Sequence, residues 1–78
     1  MSVTVRLYAN VKQLAGVSEL TVEGDSIAAV RDAIGNACPA IRDRLSFCRF
    51  ALNDEFVGED EAVPDDAAVD VIPPVSGG

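Results

Sequence analysis

The chain ends Pro73-Pro74-Val75-Ser76-Gly77-Gly78, and the reactive group this stretch offers is the α-carboxyl of Gly78, not a side chain. Two terminal glycines leave the final carbonyl without a neighbouring Cβ. A narrow channel could admit such an end, and a nucleophile could approach its carbonyl. The prolines cannot extend a helix and donate no backbone N–H, so they stop whatever strand precedes them. Six extended residues reach about 20 Å at about 3.3 Å each, enough to thread into another protein's active site. Terminal Gly-Gly stretches commonly just fray. Here, however, a strand carrying Val69, Val71 and Ile72 runs directly into the prolines, so the tail leaves a rigid body at a fixed point.

The rest of the composition argues against chemistry elsewhere. The chain has no histidine, which removes Ser–His and Cys–His nucleophiles, a histidine base and histidine metal ligands. It is not expected to be an enzyme by itself. Cys38 and Cys48 lie too far apart for a Cys-x-x-Cys pair and match no zinc spacing; both are read as buried, reduced thiols. The acidic cluster Glu59, Asp60, Glu61, Asp65 and Asp66 lacks the spacing of a calcium loop and is read as solvated. A net charge of −7, from 13 acidic and 6 basic residues, disfavours nucleic acid. It fits plain solubility or a basic protein partner.

At 78 residues and 49% hydrophobic, the chain is one domain near the lower limit for a single core. No apolar run approaches the ~18 residues of a membrane span. Met1-Ser2-Val3-Thr4 has neither the basic nor the apolar region of a signal peptide. A soluble, cytoplasmic protein is expected.

The elements that must position the tail follow from periodicity. Val3, Val5 and Leu7 alternate with Thr4, Arg6 and Tyr8, as in a half-buried strand. Val11, Leu14 and Ala15 have helical spacing before Gly16, a C-cap residue, which predicts a short helix over 9–15. A second strand runs over 18–23. Ser26 is an N-cap for the main helix, whose apolar face is Ile27, Val30, Ala33, Ile34 and Ala37, ending before Pro39. A further turn spans 41–45. A strand over 47–52, with Cys48, Phe50 and Leu52 on one side, meets the turn signal Asn53-Asp54 and a short return strand over 55–57. Residues 68–72 form the last strand. A mixed sheet packed on one main helix is an α+β fold, and this order is that of a β-grasp, the ubiquitin-like architecture. Residues 1–72 would form the domain and 73–78 a flexible Gly-Gly tail.

Val71-Ile72-Pro73-Pro74-Val75-Ser76-Gly77-Gly78 resembles the C-terminus of the small subunit of molybdopterin synthase, the MoaD family of ubiquitin-like sulfur carriers. Val5-Arg6-Leu7-Tyr8-Ala9, Leu14-Ala15-Gly16 and Ala51-Leu52-Asn53-Asp54-Glu55-Phe56-Val57 resemble it as well, so the similarity covers essentially the whole chain. The chain departs from the family before the last strand, where Asp66-Ala67 stands in place of the usual Gly-Asp turn; aspartate tolerates the left-handed conformation better than most residues.

The resemblance implies that a ubiquitin-activating-type enzyme uses ATP to adenylate Gly78. A sulfur donor then displaces AMP and leaves a C-terminal thiocarboxylate, and no cofactor is bound by the chain itself. The tail would insert into the molybdopterin synthase large subunit, within a heterotetramer, and sulfur would pass to a pterin precursor in molybdenum cofactor biosynthesis. Gly77 would be the slim neighbour that admits Gly78. Alternatives use the same tail as a ubiquitin-like modifier joined to lysines, as a sulfur carrier for thiazole or another metabolite, or not at all. A partner would dock on the outer face of the sheet. Arg6, Tyr8, Arg49 and Ile72 are expected to point outward there, beside Pro73, Pro74, Val75 and Ser76.

Overall fold

Alternating β-branched and polar residues build the first strand of the computed structural model, which describes residues 2–74. In β1 (Ser2–Leu7) Val3, Val5 and Leu7 are buried while the residues between them are not. Tyr8 remains extended and leads into α1 (Ala9–Ala15), which Gly16 ends in the left-handed conformation at φ 78°. The other strands are β2 (Glu19–Glu23), β3 (Arg49–Leu52), β4 (Glu55–Val57) and β5 (Ala68–Ile72).

The sheet order is β2-β1-β5-β3-β4. The first and last strands lie side by side and parallel at its centre, and the remaining pairs are antiparallel. The register places Val5 beside Val69, Leu7 beside Val71, and Val71 beside Phe50, so one face of the sheet is a continuous apolar surface. Against it packs α2 (Ile27–Ala37) through Ile27, Val30 and Ile34. A 3₁₀ turn, Pro39–Ile41, and α3 (Arg42–Leu45) close the core with Ile41 and Leu45. This is the β-grasp architecture expected from the order of elements. No helix among the described residues is long and apolar enough to cross a membrane.

Local chemistry explains the junctions. The Ser26 hydroxyl accepts from the Ala29 N–H at 3.1 Å, the N-cap bond expected of it. The two-residue turn at Asn53 and Asp54 has φ of 54° and 66°, as a hairpin turn with both central residues left-handed requires. Asp66 adopts φ 65°, so the turn before β5 survives with aspartate in place of glycine; its N–H donates to the Ser2 carbonyl at 2.8 Å.

Four expectations need correction. Leu14 is 44% exposed and Ala37 is exposed, because α1 is too short and α2 too near its end to bury more than the inner stripe. The strand begins at Arg49 and not at 47: the Phe47 and Cys48 amides donate to the Arg44 and Leu45 carbonyls, so the turn ending α3 captures both residues and leaves Phe47 72% exposed. Cys38 and Cys48 are free as expected, but half-buried and not fully enclosed. The loop over 58–66 is more than a solvated acidic stretch. Its Glu59 and Glu61 carbonyls accept from the first amides of α2, Ala28 and Ile27, both at 3.0 Å, and Val63 is buried beneath it.

Candidate functional site

Outward-facing residues of the three central strands meet at the end of β5, where the tail begins. Parallel pairing sets Arg6 beside Asp70, and antiparallel pairing sets Ala51 beside Asp70 and Arg49 beside Ile72. Strand alternation turns all of them away from the core, since Val69 and Val71 face inward. Arg6, Tyr8, Arg49 and Ile72 thus share the outer face, as their sequence positions suggested.

At the centre of this face is Asp70, only 9% exposed. Arg6 grips its carboxylate from both donors of one edge, Nε to Oδ1 at 2.6 Å and Nη2 to Oδ2 at 3.2 Å. The Tyr8 hydroxyl donates to Oδ1 at 3.1 Å. The hydrogen bond to Asp70, reinforced by its charge, raises the Arg6 pKa further above its ordinary value. The Tyr8 hydroxyl is also raised, first by the loss of solvent around it and then by its bond to the carboxylate. The cluster thus brings together one guanidinium, one carboxylate and one phenol, whose formal charges cancel.

Beside this cluster, Arg49 stacks on Phe56, with Cζ 3.8 Å from the ring centroid. Phe56 reaches the outer face because the tight hairpin pairs it with Ala51. Among the described residues Arg49 has no carboxylate partner. Two aromatic rings, Tyr8 and Phe56, are left partly exposed on the same surface, 41% and 52%.

On the other side of the tail's base, Asn10, Val11, Arg44, Phe47, Cys48, Pro73 and Pro74 line a hollow of about 140 Å³. The Cys48 thiol donates to the Arg44 carbonyl at 3.2 Å, and burial pushes its pKa up, which makes it a poor nucleophile at neutral pH. Pro73 is half-buried and Pro74 exposed. Val75, Ser76, Gly77 and Gly78 lie outside the described residues.

Sequence reasoning missed Asp70 and Phe56. Alternation was signal enough for both, since Asp70 lies between two buried valines and Phe56 follows a two-residue turn that fixes its register.

The ThiS family matches residues 5–78. A molybdopterin synthase sulfur carrier subunit from Chlamydomonas reinhardtii is 37% identical over 83 aligned positions covering all of both chains. The crystal structure of SAMP1 from Haloferax volcanii superposes with a TM-score of 0.90 at 26% identity over the whole of both chains. A chain of the complex of subunits 1 and 2 of the molybdopterin-converting factor from Helicobacter pylori gives 0.74 at 25% identity, again over all of both chains.

Proposed function

Because the chain belongs to the ThiS family and is a homologue of a molybdopterin synthase sulfur carrier subunit, we propose that it carries sulfur on Gly78 for molybdopterin synthesis. The observation that carries this reading is the full-length 37% identity to the Chlamydomonas reinhardtii subunit. The chemistry of the tail supports it. A carboxylate is ionised at pH 7 and is a poor electrophile. Its oxygen attacks the α-phosphorus of ATP in a partner adenylating enzyme, expelling pyrophosphate. Sulfide released by a sulfur donor then attacks the acyl-adenylate carbonyl; the C–S bond forms as the C–O bond to AMP breaks and AMP leaves, giving a thiocarboxylate on Gly78.

The large subunit would supply the acid–base groups and the pterin site, receiving the tail from Pro73 onward through Val75, Ser76 and Gly77. The outer face, with Arg6, Tyr8, Arg49 and Ile72, would be the surface on which it seats. The Helicobacter pylori structure, a complex of subunits 1 and 2, supports such a partner.

A second reading has a specific observation in its favour, the 0.90 TM-score against SAMP1, named in a related structure as a small archaeal modifier protein. In that reading the activated Gly78 is joined to lysines of other proteins. One experiment separates the two: mass spectrometry of the N-terminally tagged chain recovered from its own cells. Free chain with one terminal oxygen replaced by sulfur, together with a bound large subunit, is the expected result. Deleting Gly78 should abolish sulfur transfer and leave the fold intact. A Gly78-deleted chain that still supports molybdopterin formation, or a chain found only in conjugates, would overturn the sulfur-carrier reading.

A further inference from the structure

Asp70 is nearly buried on a face that otherwise looks outward, and two long side chains converge on it from neighbouring positions. A carboxylate so enclosed persists because its oxygens are occupied: Oδ1 by Arg6 Nε and the Tyr8 hydroxyl, Oδ2 by Arg6 Nη2. A free arginine samples many rotamers, and a binding partner must freeze them. Here the freezing is done in advance. The guanidinium is clamped along one edge, which leaves its remaining N–H groups directed away from Asp70. The phenol ring is tethered by its hydroxyl, and the oxygen remains able to accept. Asp70 lies two residues before Ile72 on the strand that becomes the tail. A protein that holds the tail from Pro73 onward must therefore cover or border this cluster.

We propose that Asp70 is a positioning residue of the docking face: it presents Arg6 and Tyr8 as one pre-ordered polar unit, and so selects a partner protein with a hydrogen-bond acceptor opposite Arg6 and an apolar surface opposite the Tyr8 ring and Ile72. This rests on the reading of the chain as a carrier whose tail enters a large subunit. A wholly apolar surface laid on the cluster would strip water from the free N–H groups of Arg6 without replacing it, and would be rejected. Because the unit carries no net charge, its share of the binding would depend little on salt, unlike that of Arg49.

The test is a mutant cycle on the full chain, measuring the Kd for the large subunit by calorimetry, single-turnover sulfur transfer from thiocarboxylated chain, and thermal unfolding. Asp70→Ala is expected to fold, to weaken Kd about tenfold, as for a lost charge-assisted contact, and to leave the transfer rate at saturation unchanged. Arg6→Ala should weaken binding more, since it leaves the Asp70 carboxylate unpaired under the partner. The Arg6→Ala/Asp70→Ala double variant should bind no worse than Arg6→Ala alone. Asp70→Asn keeps the shape and one acceptor oxygen but replaces the other oxygen with an N–H donor and removes the charge. It therefore breaks the two-point grip on Arg6 and should weaken Kd about as much as Asp70→Ala while costing less stability. If Asp70→Ala lowers the unfolding midpoint but leaves Kd unchanged, or if the two losses add, Asp70 does not act through Arg6 and the proposal is overturned. Should Asp70→Ala fail to fold, Asp70→Asn with Arg6→Ala decides by the same rule. A wild-type chain that binds the large subunit and transfers sulfur, beside variants that behave additively, overturns this inference alone. A wild-type chain that does neither overturns the underlying reading and this inference with it.

Discussion

Arg49 Cζ lies 3.8 Å from the centroid of the Phe56 ring, and the register sets Arg49 beside Ile72, the last strand residue before the tail. The ring fixes a cation at the edge of the outer face without neutralising it. Such a contact is worth about 0.5–1 kcal/mol at an exposed site. Phe56→Ala is therefore expected to lower unfolding stability by about that amount in a denaturant titration. In a binding assay with the large subunit, Arg49→Ala should weaken association most at low salt, with the loss shrinking as salt rises. An Arg49→Ala loss that does not change with salt would mean that the guanidinium meets no anionic surface.

A contrast between two glycines tests the packing beneath this face. A Cβ on Gly24 would lie 2.9 Å from the Val30 nitrogen and 3.0 Å from Val30 Cγ2, so the start of α2 would have to shift. Gly24→Ala should destabilise by about 1–3 kcal/mol, the range for overpacking a tight site. A Cβ on Gly58 meets nothing within 4 Å, and its φ is not positive. Gly58→Ala should be neutral or stabilise by about 0.4–1 kcal/mol through the unfolded chain. Chemical denaturation of both variants checks the pair; equal effects would mean that space at residue 24 is not the constraint.

Much of the architecture was legible because it is local. Val3, Val5 and Leu7 alternate, Ile27, Val30 and Ile34 recur at helical spacing, and Asn53-Asp54 marks a hairpin whose register places every later side chain of β4. What escaped depends on contacts across the chain. Asp70 meets Arg6 across 64 positions, through a parallel pairing of the first and last strands that no local pattern encodes. Phe47 looks like a strand residue by type, yet the carbonyls ending α3 took its amide and that of Cys48. Val63 stands alone among acidic residues, so no periodicity marked it, although the loop that carries it ties down α2. The outward set Arg6, Tyr8, Arg49 and Ile72 emerged from alternation alone; alternation also turns Asp70 to that face, but it does not show that Arg6 and Tyr8 close on its carboxylate.

The start of α2 offers a second test of local chemistry. The Ser26 hydroxyl satisfies the Ala29 amide, while loop carbonyls take the amides of Ile27 and Ala28. Ser26→Ala removes one partner of three and should cost about 1 kcal/mol; Ser26→Asp, which keeps an acceptor and adds a negative charge at the helix start, should retain most of the stability. Thermal unfolding of both variants at one pH checks this. Equal losses would show that the loop, and not the hydroxyl, holds the helix end.

Tyr8 makes the Asp70 cluster observable by titration. It is the chain's only tyrosine, and there is no tryptophan, so tyrosinate absorbance reports this one group. Its pKa is raised above 10.0, first by desolvation and then by the bond to Asp70. A raised pKa means that the folded state favours the protonated phenol. The stability this confers is fully present below the unfolded value, about 10, and is lost as pH climbs from there through the folded value. The native chain should therefore show a tyrosinate midpoint above 10.0, and a midpoint near the ordinary value once unfolded in denaturant. Asp70→Asn should bring the native midpoint part of the way down, because the charge next to the phenol is gone while the loss of solvent persists. Tyr8→Phe should flatten the fall in stability on the alkaline side. A native midpoint at or below 10.0 would show that Tyr8 is solvated and not held by Asp70, and would remove one of the two donors from the cluster.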